Sequence, residues 1–274
     1  MAKVLPSSVN LSEFKMNTVT YISENDVSHL IANKTSPDAI IFLSGPTSKN
    51  TPLAILRQSD VIAVNGSAAY LLANNIQPYM YVLTDVRFLK SRRDDFYRFS
   101  KGSRFTIVNN DVYEKASVED QHYILNHCYV MRSFYKREKG GVMKKLKFML
   151  LGARHKDLLM SVPFSRKGRL VGFCKDITLG YCSCHTVAFA AIQIAYSLKY
   201  SRIICSGLDL TGGCTRFYHE GNDALPSELS RDLLKILPFF RFMREKVSDI
   251  NIYNLSDDTA VSYDIIPFIT TAEV

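Results

Sequence analysis

Short, uninterrupted apolar runs separated by polar turns set the rhythm of this chain. AIIFLS at Ala39–Ser44, VIAV at Val61–Val64, YMYVL at Tyr79–Leu83 and FTIV at Phe105–Val108 hold four to six residues each. Tyr129–Met131, Ile203–Ser206 and Asn251–Leu255 read the same way. Runs this short, without polar alternation, suit strands covered on both faces, as parallel sheets require. Between them lie helical stretches: Val27–Asn33 behind Asp26 as N-cap, Ala68–Asn74, Thr186–Leu198, and 228–247, which Pro238 should interrupt. Strands alternating with helices predict an α/β fold, a Rossmann-like, mostly parallel sheet with helices on both faces. Residues 1–25 read as a polar leader and 26–274 as one domain. Segments 132–169 and 211–231 stand apart in character, the first basic and the second a long loop suited to a small lid.

Composition narrows the setting. An apolar share of 47% supports a real core. No apolar run approaches the ~20 residues of a membrane span, and the N-terminal residues lack the apolar core of a secretory signal. A cytoplasmic location is expected. The six cysteines do not have zinc-site or redox spacing, Cys182 and Cys184 being separated by one residue, so neither a metal nor a disulfide is expected.

The charge is uneven. Residues 87–169 carry 20 Lys/Arg and 8 Asp/Glu, a balance of +12, while the rest carry 14 and 18, a balance of −4; together they give the net +8. Such a segment points to an anionic partner surface, and Arg132, Lys136, Arg137, Lys139, Lys144 and Lys145 are its candidate contacts. Within 135–169, apolar Met143, Leu146, 148–151 and 158–160 interleave with lysines and arginines. A basic amphipathic helical pair on a membrane surface fits this pattern, as does a helix packed on the core with a charged outer face. No nucleic-acid module is recognisable, so nucleic acid is not the expected partner.

The candidate chemistry gathers where strands end, the place at which open α/β sheets bind ligands. Gly45, Pro46, Thr47 and Ser48 follow the first run, Asn65, Gly66 and Ser67 the second, and Asp85 and Arg87 the third. Glycines admit close backbone approach, and hydroxyls and amides hold anions. The residues 178–213 concentrate this chemistry: Ser183, His185 and Thr186 open a helix, and Ser206, Gly207, Asp209 and Thr211 leave a strand. His185 is a candidate general base, and a helix N-terminus favours its neutral form. In the following loop, Phe217 and Tyr218 can cover a base, and His219 and Glu228 are further proton acceptors.

The stretches IFLSGPTS, DVIAVNGSAAYL, YVLTDVRF and GYCSCHTVAFAAIQIAYSLKYSRIICSGLDLTGG closely resemble the lipopolysaccharide-core transferases that add a third Kdo (3-deoxy-manno-octulosonic acid). The likeness runs on through SRDLLKILPFFRFM and INIYNLS. It implies an inverting glycosyltransferase that uses CMP-Kdo as donor, needs no further cofactor, and modifies the lipid A–Kdo inner core at the cytoplasmic face of the inner membrane. A non-catalytic nucleotide-sugar-binding protein of core assembly is the alternative. The chain is also distantly similar to bacterial CMP-sialic-acid sialyltransferases, whose fold is a GT-A-like variant. By that likeness Gly45-Pro46-Thr47, Asn65, Ser183–Thr186, Gly207-Leu208-Asp209 and Phe217 would hold the CMP moiety. Those enzymes carry a histidine just before their last long helix; this chain has Ser227-Glu228-Leu229-Ser230-Arg231 there. Glu228, His185 and His219 therefore compete as base, with Arg231 a candidate for the departing phosphate.

Overall fold

The computed structural model describes residues 19–134, 142–163, 170–211, 216–217 and 229–274, without the side chains of residues 142, 144 and 229–231. Seven strands form one wholly parallel sheet: β1 (Asp38–Phe42), β2 (Asp60–Val64), β3 (Met80–Leu83), β4 (Phe105–Asn109), β5 (Tyr129–Met131), β8 (Arg202–Ser206) and β9 (Ile252–Asn254). Their order is β5-β4-β3-β2-β1-β8-β9. The chain thus builds outward from β1 in one direction through β5, then returns to lay β8 and β9 on its other side. The order reverses between β1 and β8, which makes the crevice beyond their C-terminal ends the ligand-binding position of an open α/β sheet.

Alternate residues of each strand feed two cores, as a period of two demands. Ile40, Phe42, Val61, Ala63, Tyr81 and Leu83 meet α2 (Leu53–Gln58), α3 (Ala68–Ala73), α4 (Val86–Ser91), α5 (Arg93–Gly102), α6 (Asn110–Glu114) and α7 (Val118–His127). Ala39, Ile41, Ile62, Val64 and Val82 meet α1 (Glu24–Ala32), α8 (Val142–Arg154), α9 (Val187–Ser197) and α10 (Leu229–Lys246). The expected strands all form. Helix α1 begins earlier than expected: Ser23, not Asp26, is its N-cap, and Asp26 closes a capping box on it.

Three expectations change. The apolar run at 158–160 is not the second helix of a basic pair but part of β6 (Leu158–Ser161), antiparallel to β7 (Val171–Cys174). Helix α10 continues through Pro238. Pro238 lies on the exposed side while Ile236, Phe239, Phe240 and Met243 are buried, so apolar packing holds the helix together across the missing N–H. The leader of 1–25 lies largely outside the described residues, but its end joins the core: Ile22 is buried and its N–H bonds Val130 O at 2.9 Å.

Candidate active site

A cavity of about 440 Å³ opens at the crevice between β1 and β8. Its floor is a junction of two strand-end turns. A Cβ on Gly45 would lie 2.4 Å from both Gly207 O and Asp209 Oδ2, so only glycine lets the turns meet this closely. Gly207 takes φ +78°, a conformation that side chains resist. Asp209, buried, seals the junction: it accepts from Thr47 N at 3.0 Å and from the Thr47 hydroxyl, which also meets Ser256 Oγ at 2.8 Å. Ser206 Oγ and Thr51 Oγ1 pair at 2.8 Å just beneath.

The other strand ends supply the walls. Asn65, at φ +47°, lines the cavity after β2, and its buried Oδ1 has no protein partner. Gly66 and Ser67 lie behind it, Ser67 Oγ donating to Phe42 O at 2.7 Å, and Ser48 likewise turns inward to Gly45 O at 2.7 Å. Asp85 caps α4 through Arg87 N at 2.9 Å and takes the Arg87 guanidinium on both oxygens at 3.2 and 3.1 Å. Asn109 caps α6 and donates Nδ2 to Tyr181 Oη at 3.0 Å. Burial, eased by that bond, pushes the Tyr181 phenol up to about 12, so at neutral pH it keeps its proton.

The fourth wall is the N-terminus of α9. Thr186 is the N-cap, its Oγ1 accepting from Ala188 N at 3.3 Å. Eleven residues of helix place a partial positive charge beside Ser183 and Thr186, where an anion is favoured. The turn leading into α9 is pinned from below by Gln193, wholly buried on α9. Its Oε1 accepts from Cys174 N and Cys182 N at 2.9 Å each, and its Nε2 donates to Cys182 O and Phe189 O at 3.0 Å each. All four hydrogen-bonding positions of the amide are used, locking β7 and the turn to the helix.

His185 sits at the cavity wall in a left-handed conformation, φ +64°. Its Nδ1 lies 3.2 Å from Asp232 Oδ2. Asp232 belongs to the first turn of α10, and its other oxygen pairs with Lys235 Nζ one turn further on. A carboxylate on Nδ1 fixes the imidazole with its proton there and leaves Nε2 as the basic nitrogen.

The structure therefore brings together Gly45, Pro46, Asn65, Asp85, Arg87, Ser183, His185, Thr186, Gly207, Asp209 and Thr211 around one cavity. Thr47, Ser48, Gly66 and Ser67 serve the framework behind it. Phe217 packs its ring on Phe42 and Tyr70, with centroids at 6.0 and 5.8 Å. Arg132 lies over the Tyr21 ring at 4.4 Å, and Lys145 is buried and donates to Pro163 O at 2.9 Å. Lys136, Arg137, Lys139, Tyr218, His219 and Glu228 lie outside the described residues, as do the side chains of Lys144 and Arg231. Sequence reasoning missed Asn109, Asp111, Ser133, Tyr181, Arg216 and Asp232, all of which line the cavity. Among the described residues, no three His, Cys, Asp or Glu side chains cluster as a metal site.

Comparison with known proteins decides the family. The model of the 3-deoxy-D-manno-octulosonic acid transferase WaaZ family matches residues 21–272. The chain belongs to that family. It is a glycosyltransferase, and its relatives bear the same name. A "Probable 3-deoxy-manno-octulosonic acid transferase" of Escherichia coli (strain K12) is 71% identical over 259 residues, covering 94% of this chain and 92% of the relative. Its namesake in Salmonella typhimurium LT2 is 66% identical, covering 94% and 96%. Among solved structures, the MAf glycosyltransferase of Magnetospirillum magneticum AMB-1 aligns with 88% of this chain and 35% of its own, at 13% identity and a TM-score of 0.45. In a chain of this Kdo transferase family, the cavity described above is the candidate active site.

Proposed function

We propose that the protein transfers a third Kdo from CMP-Kdo to a Kdo residue of the lipopolysaccharide inner core, with inversion, and that His185 is the general base. The observation that carries this reading is the His185–Asp232 contact at 3.2 Å in the wall of the switch-point cavity. An acceptor hydroxyl attacks the anomeric carbon of the donor while His185 Nε2 takes its proton. The bond from that carbon to the phosphate oxygen breaks, and CMP leaves as an anion. Asp232 holds the imidazole in register and balances the charge it gains. The α9 N-terminus with Ser183 and Thr186 suits the phosphate, and the unpartnered Asn65 Oδ1 suits a donor group of the nucleoside. Arg87 and Arg216, both on the cavity wall, are the cations suited to the sugar carboxylate. The basic 132–169 segment suits a phosphorylated, lipid-borne acceptor at the anionic inner-membrane surface.

The test is incubation of the purified protein with CMP-Kdo and a Kdo-bearing lipid A acceptor. Product mass, release of CMP and the anomeric configuration of the new linkage are read together. A mass gain of one Kdo with inverted configuration is expected. Retained configuration, or no transfer while a known Kdo transferase works in parallel, overturns the reading.

A further inference from the structure

Helix α8 presents an apolar ridge to solvent. Met143 is 78% exposed, Leu150 51%, and Leu146 and Met149 42% each. Of the eight exposed large hydrophobics among the described residues, these four share one helix; Val118 and Leu234 lie on α7 and α10, and Tyr263 and Phe268 form a ring pair with centroids 5.7 Å apart. At 100° per residue they fall within a third of the helix circumference, with Ala153 between them. The opposite side packs inward through Lys145 and Phe148, and Gly152 lies close to β6, where an added Cβ would rest 3.6 Å from Leu158 O.

Cations edge the ridge. Lys147 and Arg154 project beside Met143 and Leu150, and Lys156 is exposed just past the helix. Helix α8 contains no acidic residue, and segment 135–169 carries eleven Lys/Arg against two Asp/Glu, a balance of +9. An apolar ridge with a cationic border matches a layer whose surface is anionic and whose interior is hydrocarbon. A helix of 13 residues is about 20 Å long, too short to cross that layer, so it must lie in its plane.

We infer that α8 is an interfacial helix, which seats the enzyme on an anionic bilayer by inserting Met143, Leu146, Met149 and Leu150 among the acyl chains while Lys147, Arg154 and Lys156 meet the headgroups. This deepens the proposal of a lipid-borne acceptor and rests on it for its biological sense, but it is tested without catalysis. Ordinary electrostatic adhesion of the basic segment would leave the ridge in water; insertion buries it.

The chain contains no tryptophan, so a single introduced indole reports alone. Leu150→Trp in the full-length protein is titrated with vesicles of phosphatidylcholine and phosphatidylglycerol, and Val118→Trp, on α7, is the control. Insertion predicts a blue-shifted emission and quenching by bromine-labelled acyl chains for Leu150→Trp only, with little effect from vesicles of phosphatidylcholine alone. The pair Leu146→Ser and Leu150→Ser should weaken vesicle binding about tenfold or more, yet keep activity on a water-soluble, deacylated Kdo acceptor. Absence of quenching overturns the inference, as does a blue shift that appears with rising protein concentration without vesicles, which would make a second copy the occupant. Loss of activity on the soluble acceptor in the wild type would instead count against the proposed reaction alone.

Discussion

Replacing Asp232 by Asn tests the proposed role of His185 as the base. The carboxylate lies 3.2 Å from His185 Nδ1, and at an effective dielectric of ~20 a full charge pair at that separation is worth about 5 kcal/mol. Lys235 draws on the same carboxylate, and the imidazole is 29% exposed, so roughly half of that remains for the charge that develops on His185. A loss of about 2–3 kcal/mol corresponds to a fall of roughly 30- to 150-fold in kcat. The Asn amide can also donate to Nδ1 and so favour the tautomer with its proton on Nε2, which adds to the loss. Donor KM should move little, because Asp232 acts on the transition state. The assay is CMP release under saturating donor, with thermal unfolding as a check on folding. Asp232→Asn in a background already lacking the imidazole, His185→Ala, should cost little more. A loss below threefold in a folded Asp232→Asn variant would refute the reasoning. So would full additivity with His185→Ala, which would mean that the two groups do not act as a unit.

Three other outcomes follow from the geometry. Gln193→Leu strands Cys174 N, Cys182 N and Cys182 O in the core, which should cost about 3 kcal/mol or more and lower the melting temperature by roughly 6 °C or more, read by calorimetry. Gly45→Ala is allowed by its own backbone, at φ −64°, yet drives a methyl into Gly207 O, so CMP affinity should fall about tenfold or more by isothermal titration while the far-ultraviolet dichroism stays unchanged. Burial disfavours the Asp120 carboxylate, but hydrogen bonds from Ser117, Arg93 and Tyr97 outweigh that and hold its carboxyl below the usual range. Its stabilisation is then present above the unfolded value near pH ~4 and disappears as pH falls through the folded one. Asp120→Asn should be destabilised in urea at pH 7, with the gap to wild type closing in acid; a gap constant across the series would contradict this.

The parallel sheet was legible because its strands must be apolar on both faces, and AIIF, VIAV and IICS admit little else. The run at 158–160 was not, since three apolar residues carry no period that separates strand from helix. Pro238 misled because chain-local chemistry cannot show that Phe239 and Phe240 are buried against Phe189. At the site, glycines and hydroxyls at strand ends lie around one cavity. They did not show which of those groups are spent on the framework: Asp209 and Ser67 are consumed by neighbouring turns. Asp232 gave no signal, because on its own helix it reads as one half of an i,i+3 ion pair with Lys235. Only the approach of α10 to the turn before α9 gives it a histidine.

The left-handed backbone of His185 sets a tax on the fold. An L-residue held there costs roughly 1–2 kcal/mol relative to a right-handed turn, and glycine would escape it. Stability alone therefore favours glycine at this position. The same geometry makes His185→Gly a clean excision: it leaves an unstrained turn and an imidazole-sized vacancy facing Asp232, open to a diffusible base supplied from outside.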